Sequence, residues 1–62
     1  MTFKEFQLLV NGIDFWQVYL LDSDIYIAGA LITENRYLEM TVINAKVEVD
    51  DLDVYCTVTL KE

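Results

Sequence analysis

Residues 15–31, FWQVYLLDSDIYIAGAL, are dominated by β-formers, and their apolar side chains fall on both faces of any strand they build. The acidic triplet Asp22-Ser23-Asp24 interrupts the run and predicts two strands folded back over a short turn. With Ser23-Asp24 as a two-residue turn, Leu21 lies opposite Tyr26 and Val18 opposite Gly29. Trp16, Val18, Leu20, Ile25, Ile27 and Leu31 then share one face, and Phe15, Tyr19, Leu21, Tyr26, Ala28 and Ala30 share the other. One face can be the core. The second needs a partner, so Phe15, Tyr19, Leu21, Tyr26, Ala28 and Ala30 form the expected self-association face of a homo-oligomer.

Size strengthens that expectation. A chain of 62 residues makes a single domain spanning 1–62, and at this length only about 60 % of the unfolded surface is buried on folding. A hydrophobic fraction of 55 % nevertheless places the chain among globular rather than disordered sequences. One cysteine and no histidine exclude an intrachain disulfide framework and leave a structural zinc site without ligands. Asp14, Asp22 and Asp24 break the richest apolar region well below the roughly 18 residues that a membrane span requires. The N-terminus lacks the basic start and apolar stretch of a secretory signal, so a cytoplasmic location is expected.

Before the hairpin, Thr2 and Glu5 fit a capping box. Phe3, Phe6, Leu9 and Val10 fall on one helical face, and Asn11-Gly12 offers a left-handed stop. Read as a strand, the same segment would place Lys4, Phe6, Leu8 and Val10 together, with Asn-Gly as a tight turn. Cap, stripe and terminator agree with one another and favour a short amphipathic helix. After the hairpin, residues 33–39 (TENRYLE) read as a polar connection containing about one helical turn. Ile43, Ala45, Val47 and Val49 then alternate with Val42, Asn44, Lys46 and Glu48, and Asp50-Asp51 sits where a second turn belongs. Leu52, Val54, Cys56, Val58 and Leu60 continue the apolar face, with Asp53, Tyr55, Thr57 and Thr59 outward.

This order predicts an α+β domain: one short N-terminal helix packed on a four-stranded antiparallel sheet of two hairpins. The alternative, with residues 2–10 as a strand, is an all-β five-stranded small barrel or meander. In its Thr2-x-x-Glu5 start, Asn11-Gly12 stop and two hairpins, the whole chain resembles the small acidic, mostly uncharacterised helix-plus-four-strand proteins of bacterial phages and conjugative elements. The resemblance implies a bacterial or viral setting, the host cytoplasm, and an accessory role often connected with host defence. It assigns no functional residue.

Little in the sequence suggests catalysis. Histidine, the commonest general base, is absent. Ser23, the only serine, sits in a turn that accounts for it, and Cys56 faces inward with no base beside it. Gly12 and Gly29 stand alone, so no phosphate-binding loop is present. No enzymatic activity and no cofactor are expected. The two acidic turns lack the spacing of a calcium loop, and Asp favours turns in any case, so no metal is expected either.

Charge is the remaining signal. Eleven acidic residues oppose Lys4, Arg36, Lys46 and Lys61, for a net charge of −7. Such a field repels nucleic acid and anionic membranes and attracts basic protein surfaces. The expected partner-binding set is Asp22, Asp24, Asp50, Asp51, Asp53 and Glu48, with Glu34 and Glu39 behind it. These residues suit a non-enzymatic inhibitor of a basic, nucleic-acid-handling host-defence protein. The alternative is a self-associating structural domain whose acidity serves solubility alone.

Overall fold

A computed structural model describes residues 1–23 and 25–62; Asp24, the second aspartate of the first expected turn, lies outside the described residues. The chain runs α1 (Phe3–Leu9), β1 (Phe15–Leu20), β2 (Tyr26–Gly29), α2 (Asn35–Leu38), β3 (Thr41–Asp50) and β4 (Asp53–Lys61). The N-terminal segment is the helix that its caps announce. Thr2 Oγ1 accepts from Glu5 N at 3.3 Å, and Thr2 N donates to Glu5 Oε1 at 3.0 Å, closing the capping box. The helix ends at Leu9 with Val10 extended, and the left-handed residue comes two positions later, at Gly12 (φ 81°).

The four strands lie in the order β2-β1-β4-β3. Both hairpins are antiparallel, but the central pair, β1 with β4, is parallel, so the sheet is mixed rather than purely antiparallel. The link between the hairpins is the cause. β2 ends at one edge, with Gly29 level with Trp16, while β3 begins at the other edge, with Thr41 level with Lys61 beyond Leu20. At strand spacings of about 4.8 Å and a rise of about 3.3 Å per residue, residues 30–40 must cover a diagonal of roughly 22 Å. They do so over the inner face, and β3 therefore starts at the end where β1 finishes. β3 is thus antiparallel to β1, and β4 returns parallel to it.

That link is a structural part of the core as well as a polar connection. Ile32, Tyr37 and Met40 are buried from it beside Phe3, Trp16, Val18, Cys56, Val58 and Leu60. Gln7 of α1 clamps it, donating to Ile32 O at 3.1 Å and accepting from Ile32 N at 3.2 Å. Phe3 and Phe6 meet Trp16 edge to face, with ring centroids 5.6 and 6.0 Å apart. The start of the chain is tied to the end of the link, since Phe3 N donates to Met40 O and Val42 N to Met1 O, each at 2.9 Å.

Details of register depart from the sequence pattern. In the first hairpin Tyr19 faces Tyr26 and Val18 faces Ile27, two residues away from the pairing that a Ser23-Asp24 turn would impose. A shift of two preserves which side chains share a face. Leu31 falls beyond the end of β2 and is exposed, and Ile32 takes the core position instead. The second turn is centred on Asp51-Leu52 rather than Asp50-Asp51: Asp50 pairs with Asp53, and Asp51 takes φ 53°, a conformation that aspartate tolerates. A bulge between Val42 and Asn44 puts Val42 against the core and leaves Ile43 half exposed. Leu52, at the tip of the turn, is 95 % exposed and contributes nothing to the core.

Replacing Thr2 by Ala removes the N-cap and is expected to lower unfolding stability by about 1 kcal/mol. The Thr2 N–H and hydroxyl hold the Glu5 carboxyl below its usual range. A depressed carboxyl contributes stability that is present above its unfolded value and lost as pH falls; the variant keeps the main-chain N–H and gives up only the hydroxyl's share, so it should lose slightly less on acidification than the parent. Urea titrations at neutral and acid pH check both effects, and equal acid sensitivity in the two proteins would contradict the second.

Candidate functional site

The helices and the link occupy one face of the sheet, and the other carries no layer. The register lays out its side chains in rows. At one end Phe15 of β1, Tyr55 of β4 and Glu48 of β3 stand side by side, and the Phe15 and Tyr55 rings stack with centroids 5.4 Å apart and planes 20° from parallel. The next row is Ala28, Gln17, Thr57 and Lys46, in which the Thr57 hydroxyl donates to Gln17 Oε1 at 2.9 Å. The third is Tyr26, Tyr19, Thr59 and Asn44, with the two tyrosine rings 5.0 Å apart. Aromatic area therefore collects on the β2–β1 half and at the Phe15–Tyr55 end, and hydroxyls, amides and charges on the β4–β3 half.

Of the expected self-association set, Phe15, Tyr19, Tyr26 and Ala28 lie together on this face, and all four are exposed, Tyr19 and Tyr26 at 46 % and 48 %. Leu21 and Ala30 are exposed too, but beyond the strand ends, Leu21 after β1 and Ala30 after β2, at opposite ends of the hairpin. Tyr55 extends the set across to β4 through its stack on Phe15.

The expected acidic set divides. Because β4 runs parallel to β1, the β3–β4 turn lies beside the start of β1, and the β1–β2 turn lies at its far end. Asp50, Asp51, Asp53 and Glu48 are gathered at the first end. Asp22 is at the second, lining a cavity with Lys61 and Glu62. Six paired residues of β1 separate the two ends, roughly 20 Å at the usual strand rise. Asp14 joins the larger group: its N–H donates to Val54 O at 2.9 Å, and its Oδ2 accepts from Val54 N at 2.7 Å. Nothing in the local sequence marks Asp14 for this place, which follows only from the pairing of β1 with β4.

Ser23 Oγ accepts from Ile25 N at 3.2 Å, a turn-stabilising bond. Cys56 is sealed in the core, and burial pushes its thiol up, away from the reactive thiolate. Among the described residues, no three acidic or cysteine side chains stand close enough to hold a metal ion. No helix of the described residues is long and apolar enough to cross a membrane. The phenol of Tyr55 is raised above the ordinary tyrosine value, first by partial burial and then by Asp53, Asp50, Asp51 and Asp14.

Tyr55 is therefore expected to ionise above about 10, the usual tyrosine value. The ring Cζ resonance of Tyr55 followed by NMR reports this directly, and Asp53→Asn with Asp50→Asn should bring the midpoint down. Since the folded state keeps the proton that the unfolded chain loses, stability should also fall as pH rises above about 10. A midpoint unmoved by the two substitutions would show that the acidic end does not act on this ring.

Comparison with protein-family models, with curated proteins and with solved structures finds no match.

Proposed function

We propose that the chain is a non-enzymatic protein-binding module that meets a basic protein partner with the open face and acidic end of its sheet. The observation that carries this reading is the juxtaposition at one corner. The Phe15–Tyr55 stack lies on an uncovered face directly beside Glu48, Asp50, Asp51 and Asp53, with Asp14 at the same end. Aromatic side chains supply contact area at low entropic cost, and the carboxylates draw and orient a positively charged surface. A partner that handles nucleic acid presents such a surface where it grips phosphates, and a carboxylate array can occupy that groove. An accessory inhibitor of a host-defence protein, carried by a phage or mobile element and acting in the host cytoplasm, fits these properties. Asp22, at the far end of β1, lies outside this contact.

Capture experiments from bacterial lysate test the reading. A basic, nucleic-acid-handling protein should be retained at low salt and lost as screening shortens from about 10 Å at 0.1 M to about 3 Å at 1 M. Asp50→Asn, Asp51→Asn and Asp53→Asn together should reduce retention at least about tenfold, whereas Asp22→Asn should leave it unchanged. Retention that is indifferent to both salt and these substitutions would sink the proposal.

A second reading rests on a different half of the same face. Tyr19, Tyr26 and Ala28 present uncovered apolar area on β2 and β1, away from the Asp50–Asp53 turn, and a chain this small gains most by burying such area against a copy of itself. In sedimentation velocity, Tyr19→Glu with Tyr26→Glu should then convert an oligomer to monomer. Oligomeric state and melting temperature unchanged by the pair would remove that half of the face from consideration.

A further inference from the structure

We propose that the cavity on the open face lined by Gln17, Glu48, Asp50 and Tyr55 is an arginine-binding subsite: a guanidinium stacks against the Tyr55 ring and pairs with the carboxylates of Glu48 and Asp50. The inference deepens the partner-binding reading above, on which it rests for its occasion, by naming the chemical group recognised.

The geometry has three components. The stack with Phe15 covers one face of the Tyr55 ring and holds the ring in place. Glu48, directly opposite Tyr55 in the β3–β4 register, stands on its other side. Beside them a cavity of about 300 Å³ reaches across β4, lined by Gln17 of β1, Tyr55 of β4, and Glu48 and Asp50 of β3, with Gln17 held by the Thr57 hydroxyl. An aromatic plane beside two carboxylates is a poor match for a hydrated, compact ammonium ion and a good one for a planar group that stacks and donates in a fork. Guanidinium–carboxylate pairing adds two parallel hydrogen bonds where the geometry allows. The chain itself shows a guanidinium placed between a tyrosine ring and a carboxylate: Arg36 lies 4.6 Å over the Tyr37 ring while its Nε is 3.2 Å from Glu34. Asp14, Asp51 and Asp53, close by, reinforce the negative potential without having to touch the ligand.

One group competes. Lys46 Nζ is 3.2 Å from Glu48 Oε1, with both side chains largely exposed. Exposed pairs of this kind hold weakly, so an incoming guanidinium can displace the ammonium. Removing Lys46 should accordingly strengthen binding.

The test is an NMR titration of the purified protein at low salt with two capped tripeptides, Gly-Arg-Gly and Gly-Lys-Gly. The arginine peptide should bind at least about threefold more tightly, with the largest shifts at Gln17, Glu48, Asp50 and Tyr55. Glu48→Gln with Asp50→Asn, at exposed positions that folding does not need, should weaken it about tenfold. Tyr55→Phe should keep the preference for arginine, and Tyr55→Leu should abolish it. Equal affinity for the two peptides, or shifts centred elsewhere, would overturn the subsite. Arginine selectivity here without any captured partner would leave the subsite standing and remove the partner reading. A captured partner indifferent to Glu48→Gln with Asp50→Asn would do the reverse.

Discussion

Residues 30–40 have to travel from the foot of β2 at one edge of the sheet to the head of β3 at the other, and most of the architecture follows from how they do it. A turn could not make the crossing, and a path around the outside would leave the link's own apolar residues in water. Passing diagonally over the inner face lets it bury Ile32, Tyr37 and Met40. α1 runs alongside, and Gln7 satisfies both backbone groups of Ile32 where no strand can. The crossing also brings β4 beside β1 in parallel. Antiparallel hairpins are local and would form with either arrangement at the centre; the direction of the link decides between them.

The link and α1 cover the inner face over β1 and β4, while Val47 and Val49 of β3 stay exposed on that side, and no element of the described residues covers the other face. The protein is two layers thick where a larger domain would often have three. The β3 edge is better guarded than the face. β3 begins with its edge occupied by residues 1–3, is bent by the bulge beside Ile43, and carries Lys46 and Glu48 further along. Bulges and charges of this kind discourage the addition of a further strand. The exposed aromatic pairs lie on the open face, away from the guarded β3 edge.

Much of this is legible from period and cap alone. Thr2, Glu5 and the Phe3–Phe6 stripe specify the helix, and strict alternation separates Trp16 and Val18 from Phe15 and Tyr19, even though the turn shifts the pairing by two residues. The parallel centre leaves no such trace, because strand order depends on long-range closure rather than on neighbouring residues. Its one signal is the set of apolar residues Leu31, Ile32, Tyr37, Leu38 and Met40 within an otherwise polar connection, which need somewhere to be buried. The bulge near Ile43 is equally silent, since the sequence alternates through it and either Val42 or Ile43 could face inward. For the candidate site, the aromatic positions are readable, but the grouping of the acids is not: Asp14 and Asp53 meet only through the pairing of β1 with β4, and the same pairing sends Asp22 away.

The division of charge bears on what a partner can feel. Asp53, Asp50, Asp51 and Asp14 all act on the Tyr55 phenol, so the carboxylates at this end share one field, whereas physiological salt screens exposed charges beyond roughly 8 Å. The separation of about 20 Å to the far turn exceeds that range, and there Asp22 shares its surroundings with Lys61. A net charge of −7 spread evenly would orient nothing. Five of the eleven acidic residues, Asp14, Glu48, Asp50, Asp51 and Asp53, stand at the end that also carries the Phe15–Tyr55 stack, so negative potential and aromatic contact area coincide at one corner. A partner of opposite charge would meet both on the same approach, which is the condition under which charge contributes to specificity as well as to the rate of association.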